Sequence, residues 1–204
     1  MLQRRLIQGG CGVLLATAAL LLSSCGDNPS EARHNAVAQG GEFQFVSPGG
    51  EVTIRYPADE RKALPDFSGP ALLSDADIHL SDFQQQIVVL NSWGQWCAPC
   101  RAEIDDLQNI QEYLQENSLG TVLGINIRDF NPDISRDFVT DNGVTFPSIY
   151  DPPFRTAAAL GGIPSSVVPT TIILDKQHRP AVVFLRSITA DEIISEIEQL
   201  SKES

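Results

Sequence analysis

Two cysteines separated by two residues, Cys97 and Cys100, are the part of this sequence best suited to chemistry. Thiols at this spacing can close into a disulfide and reopen into a dithiol, so the pair can carry two electrons and two protons. A C-x-x-C motif is also half of a common zinc site. The other cysteines and histidines are scattered along the chain, as Cys11, Cys25, His34, His79 and His178. We therefore interpret the pair as redox-active and predict no metal site.

The cysteine pair lies between a predicted strand and a predicted helix. Four consecutive apolar residues, 87–90, precede it and are typical of a strand covered on both faces. Apolar side chains recur after it at helical spacing, at Ile104, Leu107, Ile110 and Leu114. Unpaired N–H groups and the helix dipole favour a thiolate at a helix N-terminus, so we expect a lowered pKa for Cys97 and assign it as the attacking sulfur. Cys100, one turn further in, is the resolving thiol.

The first 24 residues are typical of an export signal. Arg4 and Arg5 precede an apolar run, and the segment contains no acidic residue. The last three residues of this segment and the residue that follows are Leu22, Ser23, Ser24 and Cys25. This sequence resembles a bacterial lipobox. This resemblance implies that the signal is removed and that Cys25 becomes a lipid-anchored first residue, at the extracytoplasmic face of the cell membrane. An uncleaved N-terminal anchor helix is the alternative.

The net charge of the chain disfavours some binding partners, and the composition of residues 25–63 distinguishes two segments before the compact domain. The formal net charge of −12 at pH 7 argues against binding to nucleic acid and to anionic lipid, so membrane attachment would depend on the lipid anchor. Residues 25–41 have the polar composition of a flexible tether. Two alternating segments, 42–46 and 51–56, flank a Pro-Gly-Gly turn and predict a β-hairpin, so we interpret residues 42–63 as a hairpin extension and connector.

Residues 64–204 are predicted to form the compact domain. Strands at 122–127, 170–174 and 181–185 alternate with helices at 132–142, 153–160 and 189–200, and a further short strand is predicted at 78–80. The helix at 132–142 is expected to bury Ile134, Phe138 and Val139. This α/β order, with C-x-x-C at a strand-to-helix turn, predicts a thioredoxin-like fold with an N-terminal β-hairpin extension.

Residues 64–200 resemble a known family, the membrane-tethered thiol-disulfide oxidoreductases of the TlpA and ResA type. The resemblance rests on Trp-Cys-Ala-Pro-Cys-Arg-Ala-Glu at 96–103, on Asn91, and on Val-Pro-Thr-Thr at 168–171. It implies that Pro169 is cis and faces the cysteines, that the backbone at Val168 pairs with a substrate chain, and that Trp96 flanks the attacking thiol. It also implies that Glu103 handles protons. A packing role for Trp96 and a solvated helix position for Glu103 are the alternatives.

Two features depart from the family pattern. Asp105 stands where many members have a kinking proline, so we expect a straighter helix after the cysteines. The segment 161–166, which precedes the predicted cis-proline, is longer than usual and should change the shape of the substrate groove.

The resemblance implies an enzyme that keeps the haem-attachment cysteines of apocytochromes c reduced, with electrons from a membrane thiol carrier. Its redox group would be the Cys97–Cys100 disulfide, without a separate cofactor, and its partner would be apocytochrome c or another exported thiol protein. The residues leave two alternatives open. One is an oxidase or general exchange protein for exported proteins, since the same motif serves that role at a higher reduction potential. The other is a metal-delivery module.

Overall fold

The computed structural model describes residue 43 and residues 45–203. The predicted signal segment 1–24, the lipidation site Cys25 and the tether 25–41 lie outside the described residues. Within the described part of the chain, no helix combines the length and the apolar character needed to cross a membrane.

In the described residues, eight strands form one large and one small sheet. They are β1 Thr53–Arg55, β2 Ser68–Pro70, β3 Asp77–His79, β4 Ile87–Trp93, β5 Gly120–Asn126, β6 Ser148–Tyr150, β7 Thr170–Leu174 and β8 Pro180–Phe184. The large sheet has the order β1-β8-β7-β4-β5-β6, and β4 pairs in parallel with β5 and antiparallel with β7. Strands β2 and β3 form a separate antiparallel pair. The sheet agrees with the predicted α/β fold, and β4 lies in its interior, between β7 and β5.

The helices follow the strands in the expected order. They are α1 Ala98–Ala102, α2 Ile104–Glu116, α3 Pro132–Asp141 and α4 Ala190–Ser201, with short 3-10 turns at Pro48–Gly50, Leu80–Phe83 and Arg155–Ala159. The helix predicted at 153–160 is one of these 3-10 turns, and strands β2 and β6 were not predicted.

Alternate side chains of β4 face two different apolar clusters. Ile87 and Val89 pack in one cluster with side chains of α2 and α4, among them Leu107, Ile110, Leu114, Ile193 and Ile197. Val88 and Leu90 pack on the opposite face, against Phe43, Tyr56, Leu80, Leu160 and Ile163. Because both faces are covered, β4 carries the continuous apolar run seen in the sequence and is buried along its whole length.

The predicted N-terminal hairpin is wrong in its pairing. Strand β1 pairs antiparallel with β8, so that Thr53 lies opposite Phe184. The described residues before the turn are not in a strand, and the backbone N–H of Phe45 donates instead to Gly161 O at 2.6 Å. Alternation and a turn signal cannot identify the partner of a strand, and here the open edge of β8 provides one.

Two predictions about helices are also corrected. The helix after the cysteines is not straighter, since it is interrupted at Glu103 (φ −97°, ψ 4°) although position 105 is Asp and not proline. In α3 the side chain of Ile134 is 48% exposed, while Phe138 and Val139 pack inward as expected. Ser135, the residue after Ile134, is buried instead, because its hydroxyl donates a hydrogen bond to the carboxylate of Asp129. Apolar periodicity alone therefore misplaced one side of α3.

Candidate active site

The two cysteines form a disulfide at the start of α1, with their Cα atoms 5.3 Å apart. Cys97 is the N-cap residue of this helix, and the backbone N–H of Cys100 donates to the Cys97 sulfur at 3.2 Å. Both cysteines are buried. A sulfur placed here receives an N–H that stabilises the thiolate more than the thiol. The position predicted for Cys97, between a buried strand and a helix, is thus the observed one.

The loop before β7 forms the opposite side of the site. The peptide bond between Val168 and Pro169 is cis, and Val168 O lies 3.8 Å from the Cys97 sulfur. Thr170 fixes this loop, since its hydroxyl donates to Val167 O at 2.9 Å. Pairing of β7 with β4 carries the loop to the end of β4 that leads into the cysteines. The sequence therefore located both sides of the site, although Val168 lies 68 positions after Cys100.

Trp96 lies at the rim of the site and is 45% exposed. Its indole N–H donates to Ile127 O at 3.0 Å, which holds the ring against the loop after β5. The guanidinium carbon of Arg128 lies 5.7 Å from the ring centroid, a distance typical of a cation–π contact. The side chain next to Cys97 is thus fixed at one end and open to solvent, unlike a core packing residue.

Glu103 lies three residues after Cys100 and is buried, with only 2% of its surface exposed. Its carboxylate accepts a hydrogen bond from the side-chain amide of Asn91 at 3.0 Å and another from the backbone N–H of Ile188 at 3.1 Å. Burial raises the pKa of Glu103 to about 7, although the two hydrogen bonds lower it, and the nearby charge of Asp106 raises it slightly. The solvated alternative for this residue is therefore wrong. A carboxyl group with this pKa exchanges its proton near neutral pH.

The site contains a second buried carboxylate that the sequence analysis missed. One oxygen of Asp129 accepts hydrogen bonds from Gln95 N–H at 2.7 Å, from the Asn126 amide at 2.8 Å and from the Ser135 hydroxyl at 2.8 Å. Gln95 lies two residues before Cys97, so Asp129 anchors the turn that presents the attacking sulfur. The sequence could have indicated Asp129 by its position just after β5, because functional groups gather at the carboxyl ends of parallel strands.

These contacts define what the site can do chemically. A disulfide that opens at a helix N-terminus yields one stabilised thiolate, and the neighbouring cis-proline loop leaves its backbone beside that sulfur. Exchange of electrons between a dithiol and a disulfide needs only a stabilised thiolate, a backbone that holds the substrate beside it, and a group that takes up a proton. Among residues 43 and 45–203, no cluster of three or more His, Cys, Asp or Glu side chains could hold a metal ion. The disulfide at the start of α1 and the cis-proline loop beside it define an enzyme of the thioredoxin-like class, a thiol-disulfide oxidoreductase.

Comparison with known families agrees with this class. The profile of the AhpC/TSA family matches residues 61–179, and the chain belongs to that family. A thiol-disulfide oxidoreductase ResA from Geobacillus thermodenitrificans is 27% identical over 139 residues, which cover 67% of this chain and 75% of the relative. The thiol:disulfide interchange protein HelX of Rhodobacter capsulatus is 26% identical over 137 residues, covering 67% of this chain and 71% of HelX. The resemblance to the ResA type is confirmed.

Two solved structures are more similar in sequence. A DsbF homologue from Corynebacterium diphtheriae is 59% identical with a TM-score of 0.75, and the match covers 78% of this chain and 100% of the homologue. A secreted thiol-disulfide isomerase from Corynebacterium glutamicum is 58% identical with a TM-score of 0.78, covering 80% of this chain and 100% of the isomerase. These similarities confirm the predicted thioredoxin-like fold.

Proposed function

We propose that the protein reduces disulfides in exported proteins, and that the haem-attachment cysteines of apocytochrome c are its substrate during cytochrome c biogenesis. The observation that carries the reducing direction is the burial of Glu103 at the end of α1, three residues after Cys100. When ionised, this carboxylate disfavours accumulation of thiolate nearby. A strong oxidant needs a highly stabilised thiolate in its reduced form, which such a carboxylate opposes.

The exchange would proceed in two substitutions at sulfur. The Cys97 thiolate attacks one sulfur of the substrate disulfide, and the other substrate sulfur leaves as a thiolate that takes a proton from water. Glu103 then accepts the proton of Cys100, whose thiolate attacks the Cys97 sulfur of the mixed disulfide. The second substrate sulfur leaves and is protonated in turn. Two electrons pass from the Cys97–Cys100 pair to the substrate, so the pair itself is the redox group and no separate cofactor is needed.

The site residues take the roles that the resemblance implies. The backbone at Val168 would pair with the substrate chain, since Val168 O already lies 3.8 Å from the Cys97 sulfur. Pro169 would keep that backbone facing the cysteines, and Trp96 would border the bound chain. A membrane thiol carrier would return two electrons to the Cys97–Cys100 disulfide after each turnover.

The location follows from the N-terminal sequence. Lipidation at Cys25 would hold the domain at the extracytoplasmic face of the cell membrane, with residues 25–41 as a tether. The test is incorporation of labelled fatty acid by the full chain and by a Cys25→Ala variant, with Cys11→Ala as the matched control. We expect label in the wild type and in the control. Label that persists in the Cys25→Ala variant would contradict the assignment.

A second candidate is general disulfide exchange, including oxidation, in exported proteins. It is favoured by the 58% identity to a secreted thiol-disulfide isomerase, since the same motif can run in either direction according to its reduction potential. Equilibration of the protein with glutathione and with a more reducing dithiol distinguishes the two. We expect a potential close to about −250 mV, and a value above about −150 mV would contradict the reducing role.

Trapping identifies the substrate. A Cys100→Ala variant lacks the resolving thiol, so it should remain joined to its substrate through Cys97. Apocytochrome c in that mixed disulfide would support the first candidate, whereas a varied set of other exported proteins would support the second. The Cys97→Ala variant is the control and should trap nothing through this position.

A further inference from the structure

Two exposed arginines border the active site. Arg101 directly follows Cys100, and its guanidinium donates to Gln95 O at 2.7 Å, in the turn before Cys97. Arg128 follows β5, and its guanidinium donates to Ser165 O at 2.7 Å in the loop that leads to Pro169. The same group of Arg128 lies 5.7 Å from the Trp96 ring centroid. Arg128 thus bridges the cysteine side and the cis-proline side of the site.

These two arginines differ from most others in their partners. Within the part of the chain that the structure describes, five arginines form ion pairs with carboxylates, namely Arg55, Arg61, Arg136, Arg179 and Arg186. Arg101 and Arg128 form none there and bond instead to main-chain oxygens. Arg155 also lacks an ion pair among these residues. Unlike Arg101 and Arg128, however, it forms no hydrogen bond there with the turn before Cys97 or with the cis-proline loop.

Both guanidinium groups keep N–H donors that can bind an anion from outside the protein. A guanidinium has five N–H donors, and a carbonyl oxygen occupies only part of them, so a carboxylate can still bind in bidentate geometry. The contacts of Arg128 with Trp96 and Ser165 fix its side chain beforehand, which reduces the entropy lost on binding. The chain has a net charge of −12, yet among the described residues these two cations form no ion pair at the place where a substrate must enter.

We propose that Arg101 and Arg128 recognise a carboxylate of the substrate, and that the protein prefers extended polypeptides with Asp or Glu beside the reacting cysteine. This inference rests on the proposed function, since it names the substrate class of the same site. Exposed charges at the rim of an interface affect selection and the rate of encounter more than affinity. The preference is therefore expected in the rate of the first attack by Cys97.

The test uses three peptides that differ in one residue. Each has a single cysteine joined by a disulfide to a chromophoric aryl thiol, and the residue beside the cysteine is Glu, Gln or Lys. Attack of the Cys97 thiolate on the peptide sulfur releases the chromophore, so absorbance gives the second-order rate constant for the reduced full chain. The neighbouring charge also changes the intrinsic reactivity of each peptide. Rates are therefore divided by those measured with neutral dithiothreitol.

We expect the normalised rate to fall in the order Glu, Gln, Lys, with about a fivefold difference between the first and the last at low salt. The difference should shrink at about 0.5 M salt, where exposed charges are screened. An Arg101→Gln/Arg128→Gln double variant should lose the order, and Arg128→Lys, which keeps the charge, should keep part of it. Arg155→Gln is the matched control and should behave as wild type.

Equal normalised rates for the three peptides with wild-type protein would overturn the inference and leave the proposed function intact. An order that persists in the double variant, or that is lost equally in Arg155→Gln, would also overturn it. If the wild-type protein reacts with none of the peptides and with no protein disulfide, the proposed function fails, and this inference fails with it. Because the peptide series uses the wild-type chain, its result does not depend on the folding of any variant.

Discussion

The side-chain amide of Asn91 donates to the carboxylate of Glu103 at 3.0 Å, which joins the central strand β4 to the junction between α1 and α2. The same amide nitrogen donates to the Thr171 hydroxyl at 3.0 Å, close to the cis-proline loop. One buried amide therefore connects the proposed proton acceptor with the side of the site that would hold the substrate. This arrangement makes Glu103 the residue whose replacement tests the mechanism most directly.

We expect Glu103→Gln to slow the resolution of the mixed disulfide by about 100-fold at neutral pH, because the group that accepts the Cys100 proton is lost. In the wild type the acceptor must be ionised, so the rate of resolution should fall as pH decreases through the Glu103 pKa of about 7. The measurement is stopped-flow release of the second substrate thiol between about pH 5 and 9. Asp105→Asn, an exposed position on the same segment, is the control. A Glu103→Gln variant with unchanged pH dependence would exclude this role.

The raised pKa of Glu103 also predicts how stability changes with pH. Between the ordinary value of 4.5 and about 7, the folded protein keeps the Glu103 proton while the unfolded chain has lost it. The free energy of unfolding should therefore decrease as pH rises through this interval, by about 3 kcal/mol at most. Urea unfolding of wild type and Glu103→Gln at several pH values measures this contribution. As pH rises to about 7, the free energy of unfolding of the wild type should decrease relative to that of Glu103→Gln. Above about pH 7, the difference between the two should stay constant.

Asp129 should matter through the turn that it anchors. Asp129→Ala leaves three donors without their acceptor, including the N–H of Gln95, and should cost about 2–4 kcal/mol of stability. Asp129→Asn keeps a carbonyl oxygen in place and should retain most of the stability and of the exchange rate. Urea unfolding and exchange kinetics are measured on both variants. If Asp129→Ala unfolds and exchanges like the wild type, the hydrogen bonds from Gln95, Asn126 and Ser135 do not position the turn.

Pro169 should affect substrate engagement more than folding. We expect Pro169→Thr to lower the rate of the first exchange step by about tenfold or more, because the backbone beside Cys97 would no longer be held for pairing with the substrate. Thermal melting and exchange kinetics are compared with those of wild type. A large loss of stability with an unchanged rate per folded molecule would indicate a purely structural role for this residue.

Local patterns in the sequence were sufficient for much of this protein. The apolar run at 87–90 predicted β4, the spacing of Ile104, Leu107 and Ile110 predicted α2, and the two-residue gap between Cys97 and Cys100 predicted the disulfide chemistry. Each of these properties depends on neighbours within a few turns of chain, because periodicity and capping act over that range. The resemblance in short motifs then led correctly to the cis peptide before Pro169.

Other properties depend on contacts between distant parts of the chain, and only the tertiary structure decided them. The partner of β1 is β8. Burial raises the pKa of Glu103, and its carboxylate accepts a hydrogen bond from Ile188, 85 residues away in sequence. Arg128 reaches Ser165 across 37 residues, and Asp129 reaches Gln95 across 34. A sequence pattern shows which side chains are available. Desolvation, strand pairing and hydrogen bonding across such intervals depend on which elements the fold brings together, and that is determined by packing of the whole chain.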